Sequence, residues 1–243
     1  MIDTILFDLD GTLLRFTQKA FIDKYFAELS KVFDRIGLDA DRAAKAVWAG
    51  TEAMTLNDGN CFNKERFWDS FGGAMGIGGA RLEEIEAACD SFYANEFNAV
   101  KSIVDQSDIP KRIVWKLKQK GYNLVLATNP LFPFCGVKTR LAWCELDECT
   151  FSLVTHYGNS KFCKPNLEYY REILAKISKA PQQCRMIGNN PAEDMVASEL
   201  GMEVFLVTDY LEEDDDTDIT VFRRGSLVEL EATLSLLPAV RVN

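Results

Sequence analysis

Ile5-Leu6-Phe7-Asp8-Leu9-Asp10-Gly11-Thr12 sets the frame for this 243-residue chain. Ile2, Ile5, Leu6 and Phe7 form a short apolar run that stops at a carboxylate, and Asp10-Gly11-Thr12 is turn chemistry. A run of this length suits a strand buried on both faces of a parallel sheet. Open parallel sheets carry their sites beyond the C-terminal ends of their strands, so Asp8 and Asp10 are expected at such an edge.

Beyond this strand the pattern changes. Phe21, Tyr25, Leu29, Val32, Phe33 and Ile36 recur at helical spacing, as do Leu82, Ile85, Cys89, Phe92 and Tyr93. Phe62 and Phe67 flank Asn63 as a hydrophobic staple flanks an N-cap. Gly72 to Gly79 reads as a loop. No strand interrupts residues 16–100, far longer than an ordinary connection, so they are expected to form an all-helical insert. Strand and helix patterns then alternate. Strands are expected over residues 122–127, 152–155, 185–187 and 204–208, with an edge strand at 219–223. Helices are expected between Asp108 and Gly121, over 133–144, after Pro165, over 191–200, and over 227–237 behind the capping box of Ser226 and Glu229. The expected architecture is an α/β fold with a doubly wound parallel sheet, residues 1–15 and 101–243, interrupted by a helical cap of residues 16–100.

Composition narrows the chemistry. Asp and Glu number 37 against 27 Lys and Arg, a net charge of −10 that repels nucleic acid and anionic lipid. No apolar run reaches 18 residues, so no membrane contact is expected. Met1-Ile2-Asp3 lacks the basic start of a signal peptide, and a cytoplasmic location is expected. The 7 cysteines are odd in number and show no paired CxxC spacing, and His156 is the single histidine. Neither zinc nor a histidine-dependent nucleophile is therefore expected. Cys144 and Cys149, with Asp147 and Glu148 between them, lack partners for a metal site, and the acidic run Glu212–Asp218 reads as a solvated loop.

The polar interest lies in four loops. Asp8 and Asp10 can converge on a hard cation, which screens a phosphate dianion from their charge. Thr128-Asn129 offers a hydroxyl and backbone N–H groups after a strand, suited to phosphoryl oxygens. Lys164, with Lys161 as a rival, can balance Asp8 and grip an anion. In Gly188-Asn189-Asn190-Pro191-Ala192-Glu193-Asp194, the two acids favour a helix N-terminus by its dipole, or complete a cation site.

In this order, Phe7-Asp8-Leu9-Asp10-Gly11-Thr12, Thr128-Asn129, Lys164-Pro165 and the acidic loop 188–194 resemble the signatures of the haloacid dehalogenase-like (HAD) hydrolase superfamily. The resemblance covers nearly the whole core and implies a Rossmann-like sheet with a C1-type cap. It implies that Asp8 is the nucleophile and forms an aspartyl-phosphate, and that Asp10 is the acid/base. It implies further that Thr128, the Asn129 backbone and Lys164 bind the phosphoryl group. The Asp8 side chain and the Asp10 carbonyl are implied to hold magnesium, with Glu193 or Asp194 as the acidic complement. The chain departs from the superfamily pattern at Asn189, where an aspartate is common, and Glu193 is the preferred ligand in its place.

The expected function is magnesium-dependent hydrolysis of a small phosphorylated metabolite. A phosphomutase with the same nucleophile, or a weakly active binding or regulatory protein, is the alternative. Phe16 to Lys24 and Thr55 to Phe67 are expected to face the closed site. No sequence feature fixes the oligomeric state.

Overall fold

The structure is a computed structural model, and it describes residues 1–212 and 217–240. Its sheet runs in the order β3-β2-β1-β4-β5-β6, with β1 Thr4–Phe7, β2 Asn123–Leu126, β3 Leu153–Val154, β4 Cys184–Gly188, β5 Glu203–Val207 and β6 Arg224–Gly225. Every neighbouring pair is parallel. The expected doubly wound sheet is thus the observed one, and the quoted apolar run is its centre, with all four residues of β1 buried.

Strand alternation builds two packed layers. Ile5 and Phe7 point to one face with Leu124 and Leu126, against Ile113, Val114 and Leu117 of α5 (Ile109–Gln119) and Leu227 and Leu230 of α9 (Leu227–Ser235). Leu6 points to the other face with Val125 and Met186, against Tyr169, Tyr170 and Ile173 of α7 (Leu167–Ile177). A helix α6, Phe134–Trp143, completes the first layer through Val137 and Leu141. The order of connections reverses between β1 and β4, which opens a crevice at their C-terminal ends.

Between β1 and β2 the chain is helical: α1 Gln18–Arg35, α2 Ala40–Thr55, α3 Asn63–Met75, α4 Ala80–Ala94, and a 3₁₀ stretch Glu96–Ile103. The expected apolar stripes are the buried faces of α1 and α4. Thr17 and Asp39 cap α1 and α2 by accepting from Ala20 and Arg42 N–H at 3.4 and 2.8 Å. At the junction with the core, Phe97 meets Trp143 with ring centroids 4.9 Å apart, and Trp143 Nε1 donates to Asn98 Oδ1 at 3.0 Å.

Several local expectations differ from the structure. Asn63 is the first residue of α3, not its cap, and Glu65 instead accepts from the Phe62 N–H at 2.8 Å. The fully buried Asn63 side chain accepts from Asn57 Nδ2 at 2.9 Å, a tertiary demand that overrides local capping. Gly72 lies inside α3, and the turn begins only at Gly76, whose φ of 68° suits a helix end. Residues 191–200 divide into α8, Pro191–Asp194, and a 3₁₀ stretch Met195–Leu200. The edge strand is Arg224–Gly225, and Ile219–Val221 forms a 3₁₀ turn capped by Asp218. The acidic run is not wholly solvated, because Glu212 is half-buried and accepts from Asn190 Nδ2 at 2.8 Å. Residues 213–216 of that run lie outside the described residues. No described helix is long and apolar enough to cross a membrane.

His156 is half-buried beside Phe134, and its Nδ1 accepts from the Gly158 N–H at 3.2 Å. Burial first, and Lys176 second, hold its pKa down to about 4 from 6.5. Above pH 6.5 the ring is neutral in both states and contributes no pH dependence. Between 6.5 and 4 the unfolded chain takes up a proton that the folded one does not, so stability falls with pH. His156→Asn keeps an acceptor and is expected to remove a loss on the order of 1 kcal/mol over that window, allowing for the ring's partial exposure. Urea unfolding at a series of pH values tests this, and parallel curves for the two proteins refute it.

Candidate active site

The loop after β1 begins with the Asp8 N–H donating to the Ile187 carbonyl at 2.8 Å. It then folds back on itself, Gly11 N–H to Leu14 O at 2.7 Å and Leu14 N–H to Leu9 O at 2.8 Å. Gly11 has φ of +75°, and a Cβ there would sit 2.1 Å from Asn189 Nδ2. Backbone conformation and side-chain approach both demand glycine at this turn.

Lys164, with no exposed side-chain surface, donates to Asp8 Oδ1 at 2.8 Å and to Asp194 Oδ1 at 2.6 Å. The other Asp194 oxygen accepts from the Asn190 N–H at 3.0 Å. Gly188 makes this approach possible, since a Cβ would lie 2.0 Å from Asp194 Oδ2. Among the described residues no hydrogen bond reaches Asp8 Oδ2, which leaves that oxygen free at the cavity wall. Burial alone pulls the Lys164 ammonium down, but Asp194 and Asp8 outweigh it and hold the pKa well above the usual lysine value. Burial pushes the Asp8 carboxyl up to about 8 against the pull of Lys164, with Asp194 and Asp10 adding to the rise.

Thr128 and Asn129 follow β2 on the same rim. The Thr128 carbonyl is fixed by donors from Thr155 Oγ1 at 2.7 Å and Tyr169 Oη at 2.9 Å. Among the described residues no hydrogen bond holds its own hydroxyl, and Thr128 lines the cavity with Asp8. Asn129 bridges the neighbouring motifs. It accepts from the Lys164 N–H at 3.3 Å and donates to Glu193 at 3.1 and 3.2 Å. Burial pushes Glu193 up to about 7, with Lys164 opposing. Asn189 is committed elsewhere, accepting from Thr12 Oγ1 at 3.1 Å and donating to the Tyr210 carbonyl at 2.7 Å. Lys161, the rival cation, lies over the Phe62 ring at 5.7 Å, outside the cavity lining.

One site residue escaped the sequence reading. Arg140 on α6 is fully buried, pairs with Asp10 Oδ2, and stacks its guanidinium over Phe132 at 4.2 Å. Among the described residues, Asp10 Oδ1 and Arg140 Nε and Nη2 have no hydrogen-bond partner. Burial raises the Asp10 pKa, with Arg140 pulling it back. The available signal was an arginine among the buried positions of α6, between Val137 and Leu141. A helix cannot turn such a side chain outward, so it needs an internal anion.

A cavity of about 200 Å³ joins this rim to the cap. Phe16, Gln18, Phe21 and Ile22 line it as expected, but of residues 55–67 only Phe67 does. The rest of the cap wall comes from α1, α2, α3 and α4, including Tyr25, Trp48, Thr51 and Trp68. Among the described residues, the only group of three or more acid, cysteine or histidine side chains with ligand atoms mutually within 4.8 Å is Asp147, Glu148 and Cys149. These serve local structure: Asp147 accepts from the Cys149 N–H at 2.6 Å, and Glu148 pairs with Lys138 at 2.6 Å. Asp8, Asp10, Glu193 and Asp194 share one rim, with Asp10 turned to Arg140 and Asp194 to Lys164.

A Rossmann-like parallel sheet, a helical insert after the first strand, and a buried Asp–Lys–Asp chain define a haloacid dehalogenase-like architecture. The chain belongs to the haloacid dehalogenase-like hydrolase family, whose model matches residues 2–200. It is similar to a HAD phosphatase from Thermococcus onnurineus at 16% identity and TM-score 0.62, covering 98% of this chain and 100% of that one. A 2-haloacid dehalogenase from Pseudomonas syringae pv. Tomato DC3000 is as similar, at 16% identity and TM-score 0.62, covering 97% and 99%. A predicted phosphoglycolate phosphatase from Haemophilus somnus 129PT matches at 17% identity and TM-score 0.57, covering 96% and 97%. At these identities the likeness shows the fold alone. No curated protein matches significantly.

Truncating Arg140 leaves Asp10 as an unpaired charge at a mostly enclosed site. Arg140→Met is expected to cost about 3 kcal/mol in urea unfolding, with part of the loss recovered in Arg140→Met/Asp10→Asn. Strictly additive losses contradict the pairing.

Proposed function

We propose that the protein hydrolyses phosphomonoesters through an aspartyl-phosphate on Asp8. The observation that carries this reading is the Asp8 carboxylate, held through Oδ1 by buried Lys164 with Oδ2 free at the cavity wall. The Asp8 oxygen attacks phosphorus while the bond to the leaving oxygen breaks. Asp10, whose raised pKa suits a proton donor, protonates that oxygen and then takes a proton from a water that attacks phosphorus as the bond to the Asp8 oxygen breaks, which releases inorganic phosphate and restores the carboxylate. The Thr128 hydroxyl and Asn129 N–H receive the phosphoryl oxygens, and Lys164 orients Asp8.

The donor chemistry fits magnesium. Asp8 Oδ2 and the Asp10 carbonyl are hard oxygens that receive no hydrogen bond among the described residues. Asp8 and Asp10 would hold the ion, with Glu193 as the nearby acid and Asp194, already bound to Lys164, as the alternate. Bound there, it supplies positive charge that keeps Asp8 ionised and offsets the phosphoryl oxygens. Support for a phosphatase over a dehalogenase comes from Asp10, an acid/base that displacement of halide from carbon does not need.

Phosphate release with magnesium and with EDTA, across a phosphomonoester panel, tests the assignment. Asp8→Asn is expected to lower kcat at least about 1,000-fold, and Asp10→Asn about 100- to 10,000-fold. Substantial magnesium-dependent turnover by Asp8→Asn overturns the nucleophile. Glu193→Gln is expected to raise the magnesium requirement. If Glu193→Gln leaves that requirement unchanged while Asp194→Asn abolishes it, the ligand is Asp194.

A further inference from the structure

The cavity wall contributed by the cap has an unusual chemistry for a site that receives a phosphorylated compound. Among the described residues no lysine, arginine or histidine lines the cavity, while Asp8, Asp10, Asp90, Glu193, Asp194 and Glu212 all do. Beyond the catalytic rim the wall is mostly ring faces and aliphatic side chains, among them Phe26, Trp48, Phe67, Tyr93 and Phe132, with the Gln18 amide and the Trp68 indole N–H as polar exceptions. Its hydroxyls are largely taken: Tyr25 and Tyr93 bond each other at 2.6 Å, and Thr51 donates to the Val47 carbonyl at 3.0 Å. Asp90, the one acid from the cap, is exposed and accepts from Cys135 Sγ at 3.6 Å.

We infer that the leaving group of the substrate is a neutral apolar group, an aryl or arylalkyl alcohol, which the cap encloses while the phosphoryl group meets Asp8. This rests on the phosphatase reading above and specifies its substrate class. An anionic leaving group, such as a second phosphate or a carboxylate, finds no counter-charge in this wall and faces several carboxylates. A sugar finds few open donors or acceptors, so its hydroxyls lose their water without replacement. An aromatic ring gains both burial and ring contacts. The size agrees: apolar cavities of about 150 Å³ accept benzene, and this one is about 200 Å³.

The test compares phosphomonoesters of alkanols, so that recognition rather than leaving-group acidity sets the rate. With magnesium, 2-phenylethyl phosphate is expected to exceed glycerol 3-phosphate and phosphoglycolate in kcat/KM by about 100-fold, the effect of burying one phenyl side group. Trp48→Lys, at a half-exposed cavity position, is expected to lower that ratio about 10-fold. Equal rates, or preference for either polar ester, overturn the inference, and preference for phosphocholine overturns it in favour of a cationic leaving group. If no ester releases phosphate, the phosphatase reading falls. Binding then decides the cavity: 2-phenylethylphosphonate, followed by tryptophan quenching, should bind at least about 10-fold tighter than methylphosphonate, and equal affinities refute an apolar subsite.

Discussion

A buried ammonium between two carboxylates is the constraint around which this molecule is arranged. Lys164 has no water to solvate it, and an isolated charge in such surroundings is prohibitively unfavourable. Asp8 and Asp194 must therefore arrive together, one from the end of β1 and the other from the helix that follows β4. Only neighbouring parallel strands whose connections diverge bring those ends side by side, and β1 and β4 are such a pair. The same geometry explains the glycines at 11 and 188, where a Cβ would collide with Asn189 and Asp194. Binding Lys164 also divides the two oxygens of Asp8, committing one to the cation and leaving the other to the cavity.

A second buried cation, Arg140, ties chemistry to cap. It pairs with Asp10 below and lies over Phe132 above. Phe132 in turn meets Phe21, Tyr25 and Tyr93 of the cap at ring-centroid distances of 5.7 to 6.0 Å. Asp10 and the aromatic wall thus share one packed cluster. Displacement of the cap against the core moves the surroundings of Asp10 directly, because interiors at this packing density transmit small shifts rather than absorb them.

Some features were legible in the residues because they are local. The β1 run, the stripes of α1 and α4, the Ser226–Glu229 box and the Asp108 and Gly121 signals that bracket α5 each depend on near neighbours in the chain. Other features failed for the opposite reason. Asn63 carries a local capping signal but answers to Asn57 and the buried loop around Cys163. Thr55 to Arg66 sits next to the right helix yet does not face the cavity, since its direction is set by how α2 packs on α3. Arg140 has no motif, and its role exists only where the fold brings α6 against Asp10 in the loop after β1.

By itself the sequence determined that a parallel α/β core is interrupted by helices, and that Asp8, Asp10, Thr128, Lys164 and the 188–194 loop fall at element ends on one rim. Periodicity and turn chemistry act over a few residues, and that range suffices to order the elements. The tertiary structure decided which oxygen each cation takes, that Asn189 is bonded to Thr12 and Tyr210, and that the cap turns a largely aromatic wall, with Asp90 its one charge, toward the site. Those outcomes depend on which buried charges can be neutralised together, and desolvation settles that only once distant segments are packed in place.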